Sequence, residues 1–447
     1  MYRRIRPRFL LLFPLLLLVL AGCGPRQSSI PENQGLNLRR FEGTTINFIA
    51  NKHPWIELID PRLEQFATIT GIEVELAVYP EEQFRTKRTV ELVSGVSKLD
   101  LFMMMPGNSL DAYVSRGWVE ALTPYMKDET AGWPDYDWED IFPVALEVGL
   151  REGVNYTLPV MLETSLLAYN RDILSRYNVS PPTTMAELEE AAAEIYSASG
   201  GEIFGITMRG KHGAASSQWI DFVRSFGGDW LDEEGVPDFS SSPVMAATRY
   251  YGRLLRRYGP PSAPSNGWYE STSLFMQGRA AMIYDASVFK SHYENPNRSR
   301  VAGKVGYLPI PEGPAGSVPH ISSWGLAINS GSDKKGAAWL FMQWAAGERI
   351  ALDGLEAGIP SCRQSAWESP GFRRSESATD WIEASLASYD RASTRWNPPV
   401  IDINSGREIV GELIVAAILG RNLELQAERS SRRMSELMRQ ERMQVSE

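Results

Sequence analysis

The chain has 447 residues, a formal charge of −10, 13 Trp and two Cys. The acidic balance argues against nucleic acid or anionic lipid as a ligand. Two cysteines cannot build a disulfide framework, so stability has to come from a large apolar core.

At the start of the chain, Arg3, Arg4, Arg6 and Arg8 precede FLLLFPLLLLVLAGC. A basic segment, a short apolar run and small residues mark a secretory signal over 1–22. Pro14 interrupts the run, and polar sequence follows too soon for a bilayer span. Leu20-Ala21-Gly22-Cys23 resembles a bacterial lipoprotein lipobox. That resemblance implies cleavage before Cys23 and lipid on its sulfur and new amino group. Residues 23–43 then form the lipidated Cys and a flexible tether rich in polar residues. Loss of 1–22 removes four arginines and takes the formal charge to −14, leaving anchoring to the acyl chains. Cys362 is then the one cysteine of the mature chain that carries no lipid.

Beyond the tether, short apolar runs alternate with amphipathic ones. TTINFIAN, IEVELAVY and KLDLFMMM read as strands. PWIELIDPRLEQFATITG, EQFRTKRTVELVSG and SLDAYVSRGW read as the helices between and after them, the first two closing on Gly71 and Gly95. This is an α/β unit with a largely parallel sheet, in which ligands lie beyond the strands' carboxyl ends. The loops to search are therefore Asn51 to Trp55, Tyr79 to Gln83 and Pro106 to Asn108. A second unit begins near YTLPVMLETSLLAYNRDIL. It continues through the helix TMAELEEAAAEIYSASG, with Thr183 or Thr184 as its cap, the strand EIFGITMRG, and the helices SQWIDFVRSFG and SPVMAATRYYGRLLRRYG. SNGWYE reads as a loop, LFMQGRA as a helix, and AAMIYD, KVGYLPIP and SSWGLAINS as strands. A helix DKKGAAWLFMQWAAG and a helical, charged tail from Arg407 complete the chain. No period of 20 to 50 residues repeats. The length is about twice a typical domain and argues for two lobes.

DLFMMMPGNSLDAYVSRGWVEALTPY, YTLPVMLETSLLAYNRDILSRYNVSPPTTMAELEEAA, SLFMQGRAAMIYDAS and SSWGLAIN, in this order, resemble the family 1 extracellular solute-binding proteins of bacterial ABC sugar importers. FGITMRGKHG, SFGGDW, YGPPSAPSNGWYE and KVGYLPIP are similar to the sorbitol/mannitol-type polyol binders within that family. The resemblance implies a two-lobed α/β periplasmic-binding-protein fold, with the ligand cleft between lobes joined by hinge strands. Its lobes would be 44–160 plus 286–350 and 161–285 plus 351–440, with 441–447 as a tail. It also implies a monomer at the cell envelope, facing the periplasm or the exterior. Two permease subunits and a cytoplasmic ATPase pair would be its partners, and no cofactor is expected.

A sugar site needs aromatic faces for C–H surfaces and carboxylates, amides or guanidinium groups for hydroxyls. Among the tryptophans, Trp55, Trp219, Trp268 and Trp324 occupy loop-like positions and are candidate ring faces. Glu163 follows TLPVML and Asp285 ends AAMIYD, so each is a candidate hydroxyl acceptor at a strand end. Arg209 and Lys211 follow the strand ITM as candidate donors. Asn51, His53, Asn108, Gln218 and Asn266 complete the candidate ligand contacts. Gly205 to Lys211 matches GxxxxGK, but Ile206 to Met208 read as strand and His212 replaces the magnesium-binding hydroxyl, so no nucleotide site is expected. His53, His212, His292 and His320 show no metal-ligand spacing. The competing class is an exported glycoside hydrolase using Glu163 and Asp285 as its acid and base.

Overall fold

The computed structural model describes residues 37–445, apart from 96, 97, 129, 135 and 377. The signal segment, Cys23 and most of the tether lie outside the described residues. Among the described residues ten strands form: Thr45–Asn51 (β1), Glu73–Tyr79 (β2), Leu101–Met104 (β3), Leu150–Arg151 (β4), Val154–Asn155 (β5), Leu158–Asn170 (β6), Phe204–Thr207 (β7), Ala280–Ala286 (β8), Val305–Leu308 (β9) and Ile321–Ile328 (β10). β4 and β5 make a small hairpin. The others form one sheet in the order β2-β1-β3-β10-β6-β8-β7, with β9 also alongside β6. β1 runs parallel to β2 and β3, and β7 parallel to β8. The three strands of the first unit are thus parallel, as their alternation with helices implied, and β10 and β6 enter antiparallel, so the whole sheet is mixed.

The thirteen residues of β6 are all buried. Its first half, Leu158 to Thr164, pairs with β10, and its second half, from Ser165, pairs with β8 and β9. The apolar side chains divide accordingly into two cores. One gathers β1, β3, β10 and the helix Lys335–Ala345. The other gathers the helices His212–Ser225, Ser242–Tyr258 and Ile403–Leu419. Strand alternation shares the second half of β6 between them: Leu166 and Ala168 join the first core, Leu167 and Tyr169 the second. Among the described residues, no helix is long and apolar enough to cross a membrane.

Local chemistry explains most boundaries. The helix expected over PWIELIDPRLEQFATITG is broken into Pro54–Ile59 and Leu63–Thr70 by a 3-10 turn at Asp60–Arg62. Pro61 has no N–H to continue the α ladder. Gly71 and Gly95 close their helices in the left-handed region, at φ 72° and 63°. Thr184 and Glu187 form a reciprocal capping box at the start of Met185–Ala198.

Gly411 permits the close crossing of Ile403–Leu419 over the start of His212–Ser225. A Cβ there would stand 2.3 Å from the His212 carbonyl carbon and 2.6 Å from the Gly213 nitrogen. Gly411→Ala is therefore expected to lower the unfolding free energy by about 1–3 kcal/mol. The measurement is the urea midpoint at constant m-value, and an unmoved midpoint would contradict so tight a crossing.

Candidate ligand-binding site

The site is built where β6 changes partners. Thr164 faces Ile321 of β10, Ser165 faces Ala286 of β8, and Glu163 lies one residue earlier, opposite Ser322. Asp285 stands opposite Leu166 at the end of β8. The changeover thus brings two carboxylates from separate strands into one neighbourhood.

Their states differ. The Asp285 carboxylate accepts from Arg209 Nε at 3.1 Å and Nη2 at 2.5 Å, and also from the Ala286 N–H at 2.8 Å. Among the described residues, the Glu163 carboxylate accepts only a 3.4 Å bond from Ser322 Oγ, and its Oε2 is buried without a partner. Burial pushes the Glu163 carboxyl up to about 7; His320 and Arg209 pull it down, and Asp285 pushes it further up.

The first lobe contributes the end of β1. Asn51 is buried there, and its Oδ1 lacks a partner. His53 caps the helix Pro54–Ile59 by accepting the Trp55 N–H on Nδ1 at 3.2 Å. Burial drives this imidazole down to about 3, so the ring is neutral and carries its proton on Nε2. Its centroid lies 5.3 Å from that of Trp324 on β10. The register of β10 against β6 shifts between Trp324 and Gly325, an irregularity of the kind that re-aims a side chain.

The second lobe contributes Arg209, which is locked at its backbone. Its N–H donates to Gln218 Oε1 at 2.8 Å, and its carbonyl accepts from the Tyr251 hydroxyl. Gln218 also donates to the Tyr284 carbonyl at 2.7 Å, so it supports the site from behind. Asn266 accepts the Gly210 and Lys211 N–H groups on its carbonyl, while its buried Nδ2 lacks a partner. Trp268 opens the helix Trp268–Met276 instead of sitting in a loop, and Glu270 reaches back to the Gly267 N–H at 2.9 Å to cap it. The Trp268 ring is half-buried and stacked on Phe289, 5.2 Å away at 12°.

Other sequence candidates fall outside this group. Trp55 is packed in the first core and Trp219 in the second, where its Nε1–H donates to Thr248 at 2.9 Å. Lys211 is exposed at the start of His212–Ser225. Asn108 is half-buried in the helix Pro106–Ser115, where its Oδ1 accepts from Asn397 at 3.0 Å. Gly205 to Thr207 lie in β7, and Gly205 packs so closely on Ala192 that a Cβ would stand 2.2 Å from its carbonyl oxygen. That glycine serves helix-on-strand packing rather than a phosphate.

Four residues missed in the sequence join the site. Glu81 follows Pro80 at the end of β2 and lies within electrostatic reach of Arg209 and Arg407. Burial opposes its ionised form, but Arg85, Arg209 and Arg407 outweigh burial and hold its pKa below the usual value. Arg407 donates Nε–H to Ser216 at 2.9 Å and lies 5.2 Å over the Trp396 ring. Burial and then Arg85 bring its guanidinium down to about 9. His320 meets Asp221 through Nδ1 at 2.8 Å and Trp396 ring to ring at 5.3 Å. The lobes also touch directly, through Arg85 Nη1 to Asn404 Oδ1 at 3.1 Å and Asn397 Nδ2 to the Gly107 carbonyl at 2.8 Å. Among the described residues, no three or more of His, Cys, Asp and Glu are placed to hold a metal.

This arrangement can hold a polyhydroxylated molecule by hydrogen bonds and ring faces. The family model for bacterial extracellular solute-binding proteins matches residues 50–351. The chain belongs to this family. It is similar to an erythritol/L-threitol-binding protein of Mycolicibacterium smegmatis, 29% identical over 76% of this chain and 74% of that one. It is also similar to a mannitol-binding protein of Pseudomonas aeruginosa, 30% identical over 61% of this chain and 62% of that one. A solute-binding protein of Agrobacterium radiobacter K84, solved with ribitol, superposes with a TM-score of 0.80 at 26% identity, covering 89% of this chain and 99% of that one. The two-lobed periplasmic-binding-protein fold is thereby established, and a solute-binding protein is not an enzyme. The hydrolase alternative falls with that, and both Asp285 oxygens are already engaged by Arg209.

Proposed function

We propose that this solute-binding protein captures a sugar or polyol in the cleft between its lobes and delivers it to an ABC transporter permease. Three buried polar atoms without partners support the reading most directly: Asn51 Oδ1, Glu163 Oε2 and Asn266 Nδ2. Buried polar groups are normally paired, and ligand hydroxyls supply the missing donors and acceptors here. Trp324 and Trp268 offer the apolar faces. The relatives named above, which bind erythritol or L-threitol, mannitol and ribitol, support an alditol or a sugar of similar size.

The rest of the assignment follows the family resemblance. Two permease subunits and an ATPase pair receive the ligand, and the protein is a monomer held at the envelope by lipid on Cys23, facing the periplasm or exterior. The two cores support a division into lobes, with residues from Ile350 to Ala384 siding with the first core and Trp396 to Met434 with the second.

The test is a melting-temperature screen over erythritol, ribitol, D-mannitol, D-glucose and maltose, with chromatography of the incubated sugars. Ligand at a hundred times its Kd adds about 2.7 kcal/mol of stability, a readily measured upward shift. Trp324→Ala is expected to weaken that ligand at least tenfold in calorimetry. No shift with any compound, or release of product by catalytic amounts of protein, would overturn the assignment.

A further inference from the structure

We propose that Trp396 and Asn397 plug one end of the cleft and limit the ligand to a single short alditol or monosaccharide, shutting off an outer cavity that could accommodate further sugar units. This inference rests on the carbohydrate reading above and narrows it.

The inner side of the plug is Trp396. Its indole lies against the His320 ring at 5.3 Å and under the Arg407 guanidinium at 5.2 Å. Both of these neighbours belong to the buried polar group around Glu163 and Arg209. The outer side is Asn397, which donates Nδ2 to the Gly107 carbonyl at 2.8 Å and to Asn108 Oδ1 at 3.0 Å. The backbone at Gly107 lies within ordinary contact range of both plug residues. A Cβ built on it would lie 3.4 Å from Asn397 Nδ2 and 3.5 Å from Trp396 Nε1. Two consecutive residues of one lobe are therefore pressed directly onto a helix of the other.

Beyond this contact lies a cavity of about 1000 Å³ that Gly107 and Asn397 also line. That volume is at the top of the range for small-molecule sites, roughly 300–1,000 Å³. Its walls come from both lobes: Asp111 and Arg151, which pair with each other, face Asp229 and Trp230. Carboxylates and a guanidinium suit a chain of sugar hydroxyls, while the Trp230 indole is packed into the second core behind them. A ligand of one short unit would be held by the unpartnered atoms of the inner cluster, Asn51 Oδ1, Glu163 Oε2 and Asn266 Nδ2. One of two or more rings would have to displace Trp396 and Asn397 to enter the outer cavity.

Calorimetry with ribitol, D-mannitol, D-glucose and maltotriose tests this on the full chain, on Asn397→Ala and on Trp396→Ala. Asn397→Ala leaves the second core whole, so it covers the case in which Trp396→Ala fails to fold; circular dichroism melts check both. The wild-type protein is expected to bind a short compound at least a hundredfold tighter than maltotriose. At least one variant should gain tenfold or more for maltotriose. Wild-type binding of maltotriose within tenfold of the best short compound overturns the plug alone, as does the absence of any gain in both variants. If the wild type binds neither short nor long carbohydrate, the carbohydrate reading falls and the plug with it.

Discussion

Asp285→Ala is expected to remove about 3–5 kcal/mol of unfolding free energy from the unliganded protein, the cost of leaving one partner of a buried ion pair uncompensated. The Asp285 side chain is fully buried and that of Arg209 is 18% exposed, so water does little to screen the pair. The guanidinium has no easy escape. Gln218 and Tyr251 hold the Arg209 backbone at its N–H and its carbonyl, so the side chain stays in the cleft whether or not it is neutralised. Replacing both partners, as in Arg209→Met/Asp285→Leu, should recover most of the loss, because two apolar groups of similar volume avoid the stranded charge. Urea midpoints of the single and double variants check this. A loss below about 1 kcal/mol in Asp285→Ala would mean that the pair is effectively solvated. A loss of the expected size would consume a large part of a typical domain's stability of about 5–15 kcal/mol.

Glu163→Gln is expected to stabilise the unliganded protein at pH 8 and to leave it nearly unchanged at pH 4. The native carboxyl titrates at about 7 and the ordinary value is 4.5. Below pH 4.5 both folded and unfolded forms hold the proton, so the wild type incurs no penalty. Between 4.5 and 7 the unfolded chain releases its proton while the native state retains it, and stability falls as pH rises. Above 7 the full difference is present, on the order of 3 kcal/mol for a buried group with this displacement. A glutamine keeps the shape and abolishes the titration. His53 runs the other way: its native pKa of about 3 lies below the ordinary 6.5, so its contribution grows with pH between those values. The two effects oppose each other between pH 4.5 and 6.5, which is why the comparison has to be wild type against variant across the whole range. Melting temperatures at pH 4, 6 and 8 provide it. A gap that does not widen with pH would show that burial does not raise the Glu163 carboxyl in the native state.

The sequence signalled Asn51, Glu163 and Asp285 because each follows a recognisable apolar strand pattern. The glycine stops and the Thr184 cap were legible for the same local reason. What remained hidden depends on distance along the chain. Arg407 and Trp396 reach the site from segments more than a hundred residues beyond β8, and nothing near them in sequence marks a cleft. Glu81 lay inside a loop flagged for search, but only the arginines of the opposite lobe give it a role. The tryptophans divided by packing, not by pattern. Trp55 and Trp219 pack into the first and second cores, and Trp324, also buried in the first core, differs in reaching the His53 ring. Glu163 was read as standing past a strand end. In fact β6 continues through it to Asn170, since the following Leu-Leu-Ala-Tyr run finds new partners.

That unbroken strand constrains how the molecule can deform. Because β6 runs through both halves, the halves share one ladder of main-chain bonds and have no slack loop at this crossing to swing upon. Opening there has to wind the ribbon about its own axis, like a torsion bar clamped at both ends. Between Thr164 and Ser165 the neighbour changes from β10 to β8, so the ladder is handed from one half to the other at that rung. Glu163 sits beside that rung.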